Sequence, residues 1–511
     1  MHTLSFLPTR TLMASLGLVV FGSLTAAGPA AAQEKTVTIV LSEEPPDADV
    51  CNMNKSTIGR FVRHNVGETL TVIDRKTGEL APYLAKSWTR VDDKTWRFKL
   101  VENAKFHDGA PFNAEAVVKG LERTFHDPKI TCINKAKAAI PSVVGKAVDE
   151  YTVDISLDKP APILPVSMNI VAIASPNAPL DKMANIAIGT GPYKMVSRTS
   201  TEIVLERNED YWGKKPEVQR ARFIWRSESS VRAQMVAIGE ADLTPDIAVQ
   251  DATNPATDVS YLNSETTRLR FELDKAPQND KRVREAMQYA IDRNALRGTV
   301  FSKDVVPATH MFEPGVPGYN ADVKLRPYDP AKAKALIAAA KADGVPVDKE
   351  MTLICRANQW PGAQEAMEAI TGYFRAVGLN VGLRCVENGQ HTDMNTKPFD
   401  PNRGPILIQD SHDNANGDPA FTAITKYACE GANSTLCDKK LDDMIYRASA
   451  LPIGPERVAA WKEAFGYLYA DLVPDVTLFH MVGYARIGKR IDYKPTIDTG
   501  TSVALSSITF K

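Results

Sequence analysis

Between Met351 and Val386 the chain reads strand, helix, strand with few residues to spare. Met351 to Cys355 (MTLIC) is an apolar strand, Ala363 to Ala376 is a helix closed by Gly378, and Asn380 to Val386 is a second strand. Two strands joined through a helix with so short a return run parallel, which makes this segment the heart of an α/β lobe. Pro405 to Gln409 reads as a third strand, followed by a loop from Asp410 to Pro419. Asp438 to Ala450 and Glu456 to Leu468 are amphipathic helices, and Val476 to Phe479 is a strand. The tail after Val482 is expected to return to an earlier lobe. A chain of 511 residues holds more than one such unit, because single cores stop growing at about 250–300 residues.

The first half has its own units. From Ala81 to Arg123, Trp96, Phe98 and Leu100 alternate with polar residues, the period of a half-buried strand. His107-Asp108-Gly109 is a turn, and Asn113 sits at an N-cap with Glu115 in the first helical turn. Val117, Leu121 and Phe125 share one face of the helix that follows. Lys35 to Leu41 and Thr152 to Leu157 are alternating strands. The loop Ser42–Met53 carries Glu43, Glu44, Asp47 and Asp49, either as solvated acids or as the border of a ligand crevice. Gly189-Thr190-Gly191 lacks the spacing of a dinucleotide fingerprint and reads as a turn between domains. Ile203 and Leu205, Arg222 to Trp225, and Ala241 to Leu243 mark strands, with a helix from Ser230 to Gly239. Arg268 to Leu273 is a strand crossing into a second lobe. Lys281 to Ala295 is a helix with Val283, Ala286, Met287, Ala290 and Ile291 on one face. Asp329-Pro330 opens another helix, which Gly344 stops.

At the N-terminus Arg10 precedes an apolar run from Leu12 to Ala27, and Ala30-Ala31-Ala32 comes before Gln33. This is the layout of a cleavable secretory signal over residues 1–32, and no cysteine near the cut suggests a lipid anchor. No later stretch approaches the roughly 18 apolar residues of a membrane span. The six cysteines, Cys51, Cys132, Cys355, Cys385, Cys429 and Cys437, are an even number in an oxidising compartment and have no CxxC spacing, so structural disulfides are expected. Cys429 and Cys437 close a short loop, Cys355 and Cys385 lie on strands of one βαβ unit, and Cys51 with Cys132 remain by elimination. Net charge is -1, which gives no footing for nucleic acid or an anionic membrane.

Catalytic chemistry finds little support. The eight histidines form no HxxxH, HxH or HExxH arrangement, and there is no GxSxG elbow. A secreted hydrolase is kept only as the competing class.

Four blocks carry a resemblance: Ala81–Arg123, Ile186–Gly213, Asn279–Leu296 (NDKRVREAMQYAIDRNAL) and Ser411–Pro419 (SHDNANGDP). Together they resemble family 5 extracytoplasmic solute-binding proteins of ABC importers, the dipeptide, oligopeptide and nickel type, over roughly Lys35 to Ala450. The resemblance implies an α/β, two-lobed periplasmic binding protein fold (type II, cluster C-like), with an extra N-terminal subdomain and a hinge. On this reading lobe I is 33–75, 186–270 and 485–511, the subdomain is 76–185, and lobe II is 271–484. It implies a periplasmic, monomeric protein without cofactor or catalysis, which captures a short peptide or similar solute and passes it to membrane permease subunits. In dipeptide-binding relatives a carboxylate three residues before the Gly-Asp-Pro aspartate neutralises the ligand's amino group; here that position is Ala415, and Asp413 is the nearest acid to replace it. An opine-like conjugate, another small polar solute or a nickel chelate is the alternative ligand. Relatives place an arginine just after the strand matching MTLIC. Arg356 stands there one residue out of register, either a carboxylate contact or a surface residue turned to the other face. Trp360 stacks on ligand or packs, Asp418 caps the next helix or meets ligand, and Asn414 and Asn416 make turns or contacts. His412 is a metal ligand or, more simply, a neutral hydrogen-bonding loop residue.

Overall fold

The computed structural model describes residues 35–511 apart from 75–78, 131, 133–139, 141, 358, 361 and 414–417. The expected signal segment and Asn414, Ala415 and Asn416 therefore lie outside the described residues, as do the side chains of His412 and Asp413. Among the described residues no helix is long and apolar enough to cross a membrane.

One mixed sheet runs through two lobes. Its order is Val381–Val386, Met351–Arg356, Ile406–Asp413, Asp258–Phe271, Asp475–Ile487, Leu243–Thr244, Thr36–Leu41, Arg220–Trp225, Glu202–Arg207 and Tyr193–Arg198. The two long antiparallel strands in the middle belong to both lobes. Tyr261 and Ala485 pack with Val37, Ile39 and Phe223 in the first core, whereas Leu269, Phe271, Val476 and Leu478 pack in the second. Between these cores the ladder slips from Leu262 opposite Val482 to Thr266 opposite His480, and Ser264 takes a φ of 61°. Polar residues and an irregular register at this point make the crossing a hinge rather than a packed joint.

The second lobe contains the expected parallel pair, in register from Met351 opposite Val381 to Arg356 opposite Val386. Cys355 faces Cys385 across it and the two are bonded, as are Cys51 with Cys132 and Cys429 with Cys437. The connecting helix, Ala363–Ala376, buries Ala366, Met367, Ile370 and Phe374, and Gly378 ends it at a φ of 97°. The Asp329 carboxylate caps the Pro330–Ala342 helix at Lys332 N, 2.9 Å away.

Several elements differ in length from the sequence reading. The helix expected over Lys281–Ala295 ends at Ala290, because Ile291 is extended and the Asp292 carboxylate caps a separate turn, Arg293–Leu296, at 3.0 Å from Asn294 N and Ala295 N. The strands expected at 268–273, 405–409 and 476–479 extend to 258–271, 406–413 and 475–487. Their added residues include Asp410 and Asp475, acids that look like loop residues until their buried cations are seen. His412 and Asp413 accordingly lie on a strand, opposite Thr266 and Glu265, rather than in a loop.

The Ala81–Arg123 block builds a third unit. Ala85–Arg90, Thr95–Leu100, Thr152–Ser156 and Val144–Asp149 form an antiparallel sheet in that order, covered by the helix Ala114–Phe125. Asn113 Oδ1 accepts from Ala116 N at 3.0 Å, and Gly109 turns the chain at a φ of 87°.

This subdomain is fastened to the first lobe. The Arg123 guanidinium donates to both Asp49 oxygens at 3.1 and 2.6 Å, with both side chains almost wholly buried. The Cys51–Cys132 bond lies beside this pair in sequence. Asp47 accepts from Asn52 Nδ2 at 3.0 Å, so of the four acids in the 42–53 loop only Glu43 and Glu44 are exposed.

Candidate functional site

In open α/β sheets ligands meet the chain outside the carboxyl ends of parallel strands. In the second lobe Met351–Arg356 and Ile406–Asp413 are parallel, with Ile354 opposite Ile408, so both end at the hinge side of the sheet. Side chains alternate along the first of these strands. Leu353 and Cys355 enter the lobe core, while Ile354 packs with Val386, Ile406 and Ile408 on the opposite face. Arg356, two residues beyond Ile354, shares that opposite face. It is half-buried, and its backbone N–H donates to Gln409 Oε1 at 3.0 Å. Its guanidinium has no hydrogen-bond or ion-pair partner among the described residues, in contrast to the arginines around it.

Those neighbouring charges form a network that sequence reasoning missed. Asp410 accepts from Arg268 Nη2 at 3.0 Å and from Lys426 Nζ at 2.6 Å. Arg268 Nη1 donates to Asp475 at 2.9 Å, and the Tyr427 hydroxyl donates to Asp475 at 2.8 Å. Two cations balance two carboxylates, the condition under which buried charges are tolerated. Burial pushes the Lys426 ammonium down to about 8 and raises the Asp475 carboxyl. The network ties both hinge strands, the Ile406–Asp413 strand and the helix Ala420–Tyr427 into one body. Its sequence signal was Arg268 and Arg270 alternating with Leu269 and Phe271, charged residues at strand period between core residues.

Asp418 is similarly engaged. Its oxygens accept from Arg457 Nε at 2.9 Å and Nη2 at 2.8 Å, and Oδ1 also accepts from Ala420 N at 2.9 Å. This carboxylate anchors the start of the helix and is turned toward protein.

Trp360 lies on the core side. Its ring leans on Phe301 at 5.8 Å between centroids, and Phe301 leans on Phe479 at 4.7 Å. The structure thus brings Arg356 and the backbone of His412 and Asp413 to one edge, sets Asp418 behind them, and does not bring Trp360 to the Arg356 face. Among the described residues no group of three or more His, Cys, Asp or Glu side chains is arranged to hold a metal ion.

Comparison with known proteins agrees with this geometry. The model of the bacterial extracellular solute-binding proteins, family 5 (middle region), matches residues 79–426. The dipeptide-binding protein of Escherichia coli (strain K12) is 27% identical over 460 residues, covering 81% of this chain and 83% of the relative. The nickel-binding periplasmic protein of the same strain is 30% identical over 341 residues, covering 60% and 63%. Among solved structures, HbpA2 from Haemophilus parasuis superposes with a TM-score of 0.81 at 21% identity, over 93% of this chain and 100% of that one. With a family model spanning well over half its length and a two-lobed α/β fold hinged on two strands, the chain belongs to the family 5 bacterial extracellular solute-binding proteins.

Proposed function

We propose that this protein is the periplasmic, ligand-capturing component of an ABC importer, taking a short peptide or peptide-like solute between its lobes and delivering it to permease subunits in the inner membrane. Arg356 carries the reading: a half-buried guanidinium without a hydrogen-bond or ion-pair partner among the described residues, at the carboxyl end of a parallel strand beside the hinge, offers a planar pair of donors to a ligand carboxylate. The likeness to a dipeptide-binding protein supports a peptide. The protein acts as a monomer, performs no covalent chemistry and needs no cofactor. Lobe I comprises 33–75, 186–270 and 485–511, the subdomain 76–185, and lobe II 271–484.

The amino end of the ligand favours a second reading. Ala415 stands where relatives are expected to hold a carboxylate, and a buried ammonium without a counter-charge is costly. Either Asp413 supplies that charge, or the ligand is an opine-like conjugate, another small polar solute or, given the nickel-binding relative, a metal chelate.

The test is a thermal-shift panel on protein purified from Gln33 and stripped by unfolding and refolding. It holds di-, tri- and tetrapeptides, opine-type conjugates, and nickel with and without histidine. A ligand at 100 times its Kd adds about 2.7 kcal/mol of stability. Peptide binding that falls about a hundred-fold in Arg356→Ala, with Asp413→Asn losing free-amine peptides, supports the first reading. Binding that ignores Arg356→Ala refutes its role, and a response only to conjugates or chelates establishes the second reading.

A further inference from the structure

A cavity of about 570 Å³ separates the subdomain from the second lobe. One wall is Leu157 and the segment from Pro160 to Ile170; the other is Ala420, Phe421 and Ile424 of the Ala420–Tyr427 helix, with Asp418 and Ser449 at its margin. The first wall travels with the first lobe. Besides the Arg123–Asp49 pair and the Cys51–Cys132 bond, Asn54 Nδ2 donates to Ile170 O at 2.8 Å and Thr71 Oγ1 to Pro165 O at 2.6 Å. The second wall travels with the second lobe, because Lys426 and Tyr427 of the same helix belong to the Arg268–Asp410–Asp475 network. The cavity therefore lies between the two bodies, so movement of one lobe against the other changes its size.

Its lining is mainly apolar. Asp418 is held by Arg457 and Asn169 Nδ2 by Val166 O at 2.5 Å, while the Ser449 hydroxyl oxygen is buried without a hydrogen-bond partner among the described residues. The charged side chain in the lining, Asp418, is already paired. The space exceeds a leucine or phenylalanine side chain.

Resting on the reading of the cleft given above, we propose that this cavity is a side-chain pocket that selects solutes bearing one bulky apolar group, such as the leucine or phenylalanine residue of a short peptide. Full burial of such a side chain corresponds to an affinity gain of about ten-fold to a hundred-fold over alanine.

Isothermal titration of the stripped mature protein with matched ligands tests this: Ala-Ala, Ala-Leu, Ala-Phe, Leu-Ala and Phe-Ala, and the alanine- and phenylalanine-derived members of an opine-type pair. The expected result is a ten-fold or greater preference for the bulky side chain at one position only. Ile424→Trp and Leu157→Trp fill the cavity from opposite walls, so one failing to fold leaves the other. Each should abolish the preference while leaving Ala-Ala binding within about three-fold. Equal affinity for alanine and phenylalanine ligands overturns the pocket while leaving the cleft reading intact, as does a preference that survives both fillers. Absence of binding by every ligand overturns the cleft reading and the pocket with it.

Discussion

Removing Arg123 tests whether the subdomain is fastened to the first lobe by charge as well as by covalent bond. Arg123→Leu deletes two donors to Asp49, at 3.1 and 2.6 Å, and the Nε donor to Pro179 O at 2.8 Å. Asp49 remains 1% exposed, and among the described residues the N–H groups of Cys51 and Ala184 are what is left to it. Breaking a buried pair on one side costs about 3–5 kcal/mol, because the surviving charge has nowhere to be solvated. Adding Asp49→Asn removes that charge, so the double variant should recover roughly half the loss. The size of the melting shift reports how much of the chain unfolds together. A 4 kcal/mol loss lowers the melting temperature by about 4 °C if the lobes and subdomain melt as one unit. It lowers the first transition by about 20 °C if a subdomain of about 100 residues melts alone. Differential scanning calorimetry of wild type, both single variants and the double variant settles it. A loss below about 1 kcal/mol for Arg123→Leu, or no recovery in the double variant, would refute the reasoning.

Two further outcomes follow from local geometry. A Cβ on Gly189 would lie 2.0 Å from Val66 O and 2.8 Å from Val66 C, both backbone atoms, so Gly189→Ala should cost roughly 3 kcal/mol or more. Gly389→Ala meets nothing within 4 Å in the Asn388–Asn395 helix and should be neutral or mildly stabilising; equal denaturation midpoints for the two variants would contradict this. His310 and His480 are buried, which pushes both imidazoles down to about 4, and His310 is lowered further by His480 itself. Their folded values lie below the unfolded one, so their contribution is intact above about pH 6.5 and is lost as pH falls toward 4. That loss is about 2 kcal/mol for each by pH 5. His480→Gln should reduce the stability lost between pH 7 and 5 by about that amount in chemical denaturation; an unchanged loss would show that His480 does not titrate in this way.

What could be read from the sequence was whatever local chemistry decides. Asn113, Asp329 and Asp438 cap helices through side-chain oxygens that need only the next turn of backbone, and the helix starts at all three could be placed from their neighbours. The parallel pair followed from a strand, a helix and a strand with no room for another path. The long hinge strands were not legible, because Asp258–Leu262 offers only a short run and is paired by a strand more than 200 residues away. Asp410 read as the start of a loop for the same reason: the cations that let an acid sit in a sheet, Arg268 and Lys426, approach it from other elements. Gly189 looked like an ordinary turn glycine, and only the fold shows the Val66 backbone against its α-carbon. Arg356 could be singled out by type and position, but which face of the strand its side chain took depended on where Ile354 was buried.

The two lobes are joined by strands whose midpoint is polar, and Tyr484 adds a contact across the same joint. Its hydroxyl meets Ser302 Oγ at 2.5 Å and donates to Asp304 at 2.7 Å in the second lobe, while the side chain packs with Ala233 and Ile247 of the first. A hinge of this kind sets a modest preference between open and closed forms, and a ligand changes it only through differential contact with the two states. Arg356 alone cannot supply that difference, because it lies on one lobe and a group held by it alone touches only that body. A group that reaches the 570 Å³ cavity touches both bodies, since Leu157 and Ile170 move with the first lobe and Phe421 and Ile424 with the second. If that group is bound a hundred-fold more tightly in the closed form, a population of one closed molecule in ten open becomes roughly ten closed to one open. Charge at Arg356 and apolar contact across the cavity then have separate tasks. On the function and pocket proposed above, the first recruits and orients the ligand on one wall, and the second converts its presence into closure, the form that distinguishes a loaded binding protein from an empty one.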